Sequence, residues 1–208
     1  MKIYTQAEYD AIERDEFGIK RLPEGDYTQV VLDNRRHAID ARCDFGAGCK
    51  FDDECDFDDG CKFDDECGFG DWCDFGDGCK FGDGCGFGDW CGFGDGCKVG
   101  DGCGFGDWCE FGQFFTHGKN TSFEGGAVKN GTFIKVGRIG SETRDAYFFI
   151  DENGKFFVRA GCWFSDMDSF IKHVHHVYKG ARYERQYLAA CEYAKAVLPE
   201  MLGEVNNG

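Results

Sequence analysis

A cysteine stands at every sixth position from Cys43 to Cys109, and this short fixed period constrains the fold more than any other feature of the chain. A phenylalanine follows two residues after almost every cysteine, so the repeating unit reads Phe-Gly-Asp-Gly-Cys-Lys, as at 75–80. In that frame, fifteen six-residue units (hexads) run from residue 39 to residue 128. Such a period, held over this length, predicts a solenoid of stacked coils.

The spacing within and between hexads predicts the shape of one coil. The cysteine of each hexad and the next phenylalanine are two residues apart, so in an extended strand both side chains point to one face, which we take as the interior. The Gly and Asp residues between them supply the corners. Like residues also recur every eighteen positions, which predicts a three-sided coil and about five coils in all, as in Lys62, Lys80 and Lys98, or Trp72, Trp90 and Trp108.

This pattern resembles the hexapeptide repeat of left-handed parallel β-helix proteins, which has an aliphatic residue first, Gly, Ala, Asp or Glu second and a small residue fifth. The resemblance covers about 90 residues, and the chain departs from it by using Phe as the first and Cys as the fifth residue. It implies a left-handed parallel β-helix. Members of the family are commonly trimers, and the enzymes among them are mostly acyltransferases that use a histidine base and bind acyl-coenzyme A between subunits.

The predicted fold is mainly β, with an N-terminal cap over 1–38, a β-solenoid over 39–128 and a small α+β domain over 129–208. In the cap, Thr5 and Glu8 fit a capping box that starts a helix running to about Glu16. A strand over 27–32 is expected to lead into the first coil.

The last segment is predicted to hold a hairpin and two helices. An Asn-Gly pair at 153–154 is typical of a hairpin turn. The second helix is expected to end near Pro199, because proline does not continue a helix. The expected strands are 132–137, 146–150 and 156–164, and the expected helices are 165–178 and 182–198. The stretches 158–164 and 184–190 resemble a C-terminal module of uncharacterised bacterial and prophage proteins, which implies a mobile-element origin.

The fourteen cysteines admit three interpretations: a disulfide scaffold, a metal cluster, or reduced thiols acting as small buried hydrophobes. The six-residue period lacks the close cysteine pairs of zinc sites, and inward side chains one coil apart are parallel rather than facing. We therefore favour reduced thiols, which fit a reducing cytosol. With no apolar run near eighteen residues and no signal-peptide core, we expect a cytoplasmic protein in a bacterial host cell.

The negative charge of the chain is confined to the repeats. Residues 39–128 carry a net charge of −15, against −2 for 1–38 and +1 for 129–208. The acidic residues are expected to form rows along the corners and to bind a partner, although acidic corners would also keep a solenoid soluble, and stacked carboxylates could bind a divalent cation. The rows comprise Asp52, Asp53, Glu54, Asp58, Asp59, Asp64, Asp65, Glu66, Asp77, Asp83, Asp89, Asp95 and Asp101.

Three tryptophans and a few histidines complete the candidates. Trp72, Trp90 and Trp108 would form one apolar strip, which we interpret as an interface for self-association or for a partner. His117 occupies an inward position and is a weak candidate for a catalytic base. His173 and His176 share a helix face, but no third metal ligand is evident.

These features favour a non-enzymatic interaction protein without a cofactor, a metal or a membrane partner. The charge density of the solenoid is close to that of duplex DNA, which suggests that the solenoid imitates nucleic acid. It would inhibit a DNA- or RNA-handling protein, such as a defence nuclease, by occupying the basic groove of that protein. It would not bind nucleic acid itself, and we expect a dimer or trimer. The alternatives are a structural homo-oligomeric phage component and a hexapeptide-repeat acyltransferase.

Overall fold

The computed structural model describes residues 1–32, 36–141 and 143–207. The chain is mainly β and divides into two compact units, residues 1–127 and 128–208. The N-terminal segment therefore belongs to the same unit as the repeats. Within the described residues, no helix is both long and apolar enough to cross a membrane.

The first unit is a parallel β-solenoid of about five turns, built from very short strands. Twelve hexads, from the one that begins at Phe45 to the one that begins at Phe111, each contribute a two-residue strand that ends on the inward first residue. The strands are β1 (Lys20–Leu22), β2 (His37–Ile39), β3 (Asp44–Phe45), β4 (Lys50–Phe51), β5 (Asp56–Phe57), β6 (Lys62–Phe63), β7 (Gly68–Phe69), β8 (Asp74–Phe75), β9 (Lys80–Phe81), β10 (Gly86–Phe87), β11 (Gly92–Phe93), β12 (Lys98–Val99), β13 (Gly104–Phe105) and β14 (Glu110–Phe111).

The strands form three parallel sheets, one for each side of the coil. Their orders are β1-β2-β5-β8-β11-β14, β3-β6-β9-β12 and β4-β7-β10-β13. Partners within the repeats are eighteen residues apart, as where Lys62 pairs with Lys80. The prediction of a three-sided parallel coil is confirmed, and its left-handed sense stays an implication of the resemblance.

Aromatic rings fill the interior in columns. Phe69 stacks on Phe51 at 5.3 Å and on Phe87 at 5.0 Å between ring centroids, with the planes within 4° of parallel. The same ring meets Phe75 of the next side edge-on, at 5.0 Å and 90°. Offset stacks and edge-to-face contacts are the arrangements that aromatic pairs prefer. Large first-position residues therefore suit this coil because each ring has partners above, below and beside it.

The repeat cysteines lie beside these columns. All fourteen cysteines of the chain are thiols, and twelve are buried. From the second coil onward, the thiol donates a hydrogen bond to the carbonyl oxygen twenty-one residues earlier, as from Cys91 to Gly70 at 3.3 Å. The cysteine thus fills a small apolar position and also satisfies a backbone acceptor of the preceding coil.

The N-terminal segment begins the ladder earlier than the sequence suggested. The capping box is confirmed, with Thr5 Oγ1 accepting from the Glu8 N–H and Glu8 Oε2 accepting from the Thr5 N–H, but the helix α1 (Gln6–Asp10) is shorter than predicted. The strand predicted over 27–32 is wrong. Asp26 Oδ1 accepts from both the N–H and the hydroxyl of Thr28, which turns the chain there. The strand β1 instead pairs with β2.

The second unit is an antiparallel sheet covered by two helices. Its strands β15 (Thr132–Ile139), β16 (Arg144–Ile150), β17 (Phe156–Ala160) and β18 (Trp163–Asp166) pair in sequence order. The single strand expected over 156–164 is in fact two, because Gly161 turns the chain with a φ of 57°. The helices are α2 (Met167–Val177), capped by Asp166, and α3 (Arg182–Asn207).

The second helix does not end at Pro199 as predicted. It continues to Asn207 with the proline inside it. Met201 and Leu202 pack, partly buried, against the core formed by the sheet and both helices. Their burial offsets the backbone hydrogen bond that a proline cannot make.

Candidate interaction surface

The third residue of most hexads is an aspartate whose side chain accepts a hydrogen bond from the backbone of the next coil. Asp77 Oδ1 accepts a hydrogen bond from the backbone N–H of Asp95, one coil later, at 2.7 Å. Nine such bonds, each spanning eighteen residues, are present among the described residues. Each leaves the second carboxylate oxygen for solvent or a partner. These aspartates therefore tie the corners of consecutive coils together as well as carrying charge.

This bond restricts which residue can stand second in the hexad one coil later. A Cβ at Gly94 would lie 2.5 Å from Asp77 Oδ1 and 2.7 Å from the Gly76 carbonyl carbon, so a side chain is excluded. Asp58 is tolerated at the same place because Ala41, one coil earlier, has no carboxylate. There the Asp59 N–H bonds instead to Asp58 Oδ1, at 3.0 Å. The coils with Asp-Asp therefore lack a carboxylate one coil earlier at this place, and the later coils with Gly-Asp have one.

The fourth residue of each hexad has a positive φ, which favours glycine. Gly78 and Gly96 meet this requirement at one corner, with φ near 70°. At another corner, Trp72, Trp90 and Trp108 adopt φ of 60°, 62° and 65°. A bulky side chain in this conformation costs on the order of 1 kcal/mol or more. The three tryptophans therefore stand where the backbone alone would select glycine.

The outward sixth residues differ among the three sides, which we name by them. The acidic face (β2, β5, β8, β11, β14) presents Ala38, Asp56, Asp74, Gly92 and Glu110. The lysine face (β3, β6, β9, β12) presents Asp44, Lys62, Lys80 and Lys98. The glycine face (β4, β7, β10, β13) presents Lys50, Gly68, Gly86 and Gly104.

The charge of the solenoid is sorted to one side. We define the acidic side as the acidic face together with the two corners that flank it. One corner consists of 52–54, 70–72, 88–90, 106–108 and 124–126. The other consists of 40–42, 58–60, 76–78, 94–96 and 112–114. Within 39–128, the acidic side holds fifteen acidic residues and one basic residue, a net charge of −14. The remaining two faces and their shared corner hold six acidic and five basic residues, a net charge of −1.

Carboxylates on the acidic face stand in direct cross-strand register. Asp56 pairs with Asp74 across β5 and β8, and both are exposed. Burial, together with the charges of Asp56 and Glu110, raises the pKa of Asp74 above its ordinary value. Like charges directly opposite each other destabilise a sheet. Asp56 and Asp74 line a shallow groove of about 430 Å³, together with Arg21.

The acidic rows expected from the sequence fall on different sides of the prism. Eight of the residues lie on the acidic side, namely Asp52, Asp53, Glu54, Asp58, Asp59, Asp77, Asp89 and Asp95. The other five, Asp64, Asp65, Glu66, Asp83 and Asp101, lie on the corner between the lysine and glycine faces. Asp56, Asp74 and Glu110, which form the acidic face itself, were not among the acidic residues predicted from the sequence. The eighteen-residue period could have revealed it, because these residues belong to one column.

The tryptophans form a continuous stack at the corner between the glycine and acidic faces. The indoles of Trp72 and Trp90 are 4.9 Å apart and 2° from parallel, and those of Trp90 and Trp108 are 5.4 Å apart and 15° from parallel. Trp72 and Trp90 are 54% and 45% exposed. Because each indole faces the next, the stack presents mainly ring edges outward and offers little ring face to an incoming nucleobase or sugar.

The histidine candidates lie in separate places. The His117 ring packs edge-on against Phe123 at 5.3 Å, and burial lowers the pKa of its imidazole. His173 stacks on Trp163 at 3.9 Å in the second unit, while His176 is exposed. In the part of the chain that the structure describes, no group of three or more His, Cys, Asp or Glu side chains is placed to hold a metal ion.

Comparison with known proteins gives no relative for this chain. No protein-family model, no curated protein sequence and no solved structure matches it. The surface of the solenoid is therefore the basis on which a function can be proposed.

Proposed function

We propose that this protein is a non-enzymatic binding protein whose acidic side imitates nucleic acid and occupies the basic groove of a DNA- or RNA-handling protein. The observation that carries this proposal is the sorting of charge, with −14 on the acidic side and −1 on the rest of the repeats. Charge needed only for solubility would serve equally well on all sides. Concentration on one side suits a partner that approaches from that side.

The density of this charge also suits such a partner. Five coils at about 4.8 Å each give a height of about 24 Å, so the acidic side carries about one negative charge per 1.7 Å. Duplex DNA carries about the same charge per length of axis. A basic groove that has evolved for a nucleic acid would therefore meet a similar field.

The adjacent carboxylates support the same proposal. Asp56 and Asp74 stand in direct cross-strand register, and like charges directly opposite each other destabilise a sheet. Binding of a cationic partner would offset this repulsion between the two carboxylates. Because the lysine face lies on a different side, charge is distributed unevenly around the solenoid. This asymmetry would orient the solenoid as it approaches a partner.

The finer identity of the protein is part of the proposal. We infer that the coils are a Phe/Cys variant of the left-handed hexapeptide-repeat β-helix, supported by the six-residue period and the three parallel sheets. The resemblance of 158–164 and 184–190 to prophage modules supports a mobile-element origin. A function as an inhibitor of a defence protein in the bacterial cytoplasm would follow from both.

The test uses two charge variants that are matched in structure. Asp59, Asp77 and Asp95 on the acidic side, and Asp65, Asp83 and Asp101 on the opposite corner, each accept a backbone N–H one coil later. Replacing either set with Asn keeps the accepting oxygen and removes three charges. We expect a bacterial nucleic-acid-handling protein to be retained on the immobilised wild type at about 0.1 M salt and released at about 0.5 M.

The outcome depends on which set is changed. The acidic-side variant should lose the retained protein, and the opposite-corner variant should keep it. DNA should compete with the wild type for that protein. Equal effects of the two variants, or retention that resists salt, would contradict the proposal.

A further inference from the structure

We propose that His37 makes the closure of the solenoid's N-terminal end sensitive to pH, so that a neutral imidazole keeps α1 against the first strands and a protonated imidazole releases it. This inference does not rest on the proposed function, because it concerns the interior of the solenoid rather than its acidic side. It begins with four buried side chains at that end, those of Tyr9, Lys20, His37 and Cys55.

His37 stands at the foot of a column of cysteines. Positions 55, 73, 91 and 109, which follow it at intervals of eighteen residues, are all cysteine. The histidine is 0% exposed, its backbone N–H donates to Cys55 Sγ at 3.2 Å, and its ring meets that of Phe51 edge-on at 6.0 Å between ring centroids. A side chain that gains a charge near neutral pH thus occupies a place where the later coils have a small neutral thiol.

The ring of His37 packs against α1. Tyr9 of this helix is 1% exposed, and its hydroxyl lies 3.1 Å from His37 Nε2. The two ring centroids are 6.3 Å apart, with the planes 28° from parallel. A neutral imidazole has a ring nitrogen that can accept a hydrogen bond from the buried hydroxyl. The contact between Tyr9 and His37 therefore joins α1 to the first strands of the ladder.

A buried lysine lies next to the same pair. Lys20 of β1 is in direct register with His37 of β2, and both residues are buried. Lys20 Nζ donates to the Tyr9 carbonyl oxygen at 3.1 Å and lies 3.9 Å from the centre of the Tyr9 ring. A carbonyl at a helix end and the face of an aromatic ring both attract a cation. The ammonium thus anchors α1 and places a positive charge in the strand beside the imidazole.

The groups that face the imidazole favour its neutral form. In the described part of the chain they are Tyr9 on α1, Lys20 on β1 and Cys55 one coil later. At neutral pH the phenol and the thiol are uncharged and the ammonium is positive. A proton on the imidazole would therefore be repelled by the lysine.

The segments that flank β1 and β2 add further positive charge. Arg36 directly precedes His37, and its guanidinium pairs with the exposed Glu54 at 2.9 Å. Arg14 donates to the carbonyl oxygen of Arg36 at 2.8 Å. The carboxylate of Glu54 is thus engaged with Arg36 at the surface, and both arginines carry the same sign of charge as Lys20.

Protonation of His37 would place a second positive charge in register with Lys20 in a buried place. Like charges in register destabilise a sheet, and a buried charge is costly unless it is paired. The open end, in which water reaches the imidazole, takes up the proton more readily. Acid therefore favours opening, by up to about tenfold for each pH unit below about 6.5, where a histidine in water becomes charged. The later coils have cysteine at this place and should stay closed.

The experiment is hydrogen–deuterium exchange of the full chain at about pH 7.5 and about pH 5, read by mass spectrometry and corrected for the effect of pH on intrinsic exchange. Peptides from α1, β1 and β2 should lose protection at least tenfold at the lower pH, and peptides from β8 to β11 should keep theirs. His37→Cys extends the cysteine column by one coil and should keep the N-terminal peptides protected at both pH values. The matched control is His117→Phe, which changes the inward histidine at the other end of the repeats and should open with acid as the wild type does.

Two results would overturn the proposal directly. One is equal protection of the wild-type N-terminal peptides at both pH values. The other is a His37→Cys variant that opens with acid as the wild type does, because other groups would then carry the pH dependence. If His37→Cys is already open at neutral pH, His37→Gln repeats the test with a side chain that can accept from the Tyr9 hydroxyl. Loss of protection at neutral pH in both variants would show that the packing of the imidazole, not its charge, closes the end, and would equally overturn the proposal.

Discussion

Asp77 Oδ1 accepts the backbone N–H of Asp95 at 2.7 Å, and this bond occupies the space in which a side chain at Gly94 would lie. One interaction thereby links the third residue of one hexad to both the second and the third residues of the hexad one coil later. The consensus Phe-Gly-Asp therefore reflects contacts between two successive coils rather than the geometry of one coil. It also means that glycines in this chain are not equivalent to one another.

Two alanine substitutions should separate the glycine classes. Gly94→Ala would place Cβ 2.7 Å from the Gly76 carbonyl carbon and 2.8 Å from the Asp77 nitrogen, which are backbone atoms that cannot turn aside. We expect a loss of about 1–3 kcal/mol in the free energy of unfolding. Gly86→Ala faces open space and should be neutral or gain up to about 1 kcal/mol. Urea unfolding of both variants checks this, and equal losses would contradict it.

The corner hydrogen bond should respond to the identity of its acceptor. Asp77→Asn keeps an oxygen for the Asp95 N–H and removes one of a row of like charges, so stability should be unchanged or slightly higher, most of all at low salt. Asp77→Ala removes the acceptor and should cost about 1 kcal/mol. Thermal unfolding at two salt concentrations measures both effects. An Asn variant as unstable as the Ala variant would show that the charge, not the hydrogen bond, supports the corner.

The pH dependence of stability should report on the acidic face. Burial and the charges of Asp56 and Glu110 raise the pKa of Asp74 above 3.8, so the folded protein holds this proton more tightly than the unfolded chain. The ionised carboxylate therefore destabilises the fold at neutral pH, and this cost disappears as the pH falls through the raised pKa. Asp74→Asn should stabilise the protein at pH 7 by a few tenths of a kcal/mol, because solvent screens these exposed carboxylates, and should have no effect well below pH 3.8. A gain that is equal at both pH values would argue against ionisation as the cause.

The thiols should differ sharply in reactivity. Cys162 is exposed, Cys49 is half-buried and the other twelve cysteines are buried. Burial keeps the thiols of the repeats away from a reagent in solution, and it raises the pKa of Cys191 to about 11. A thiol reagent at about pH 8 should therefore label Cys162 first, because it is the exposed thiol of the chain.

The remaining thiols should become reactive only when the protein unfolds. Cys162→Ser should remove the fast phase and leave the slow one unchanged. Rapid labelling of most cysteines in the native protein would contradict the buried columns.

Much of the solenoid could be predicted because its coils repeat. The inward places of Cys91 and Phe93 follow from their two-residue spacing, and the three sides follow from the recurrence of Trp72, Trp90 and Trp108 at eighteen. Outside the repeats, local signals were weaker. Pro199 indicated a helix end, but burial of Met201 and Leu202 outweighs its missing hydrogen bond. The single strand expected over 156–164 failed at Gly161, where tertiary pairing uses a tight turn.

By itself, the sequence determined the coil: its period, its three sides, its interior residues and the confinement of negative charge to 39–128. These follow from spacing alone, since side chains two apart share a face and residues eighteen apart share a side. Only the tertiary structure decided which glycines are needed, because that depends on the atom one coil away. It also decided that Asp77 is both a corner acceptor and a surface charge, and that the charge gathers on one side while Lys80 and Gly86 lie on the other two faces. Contacts between coils, rather than along the chain, fix these properties.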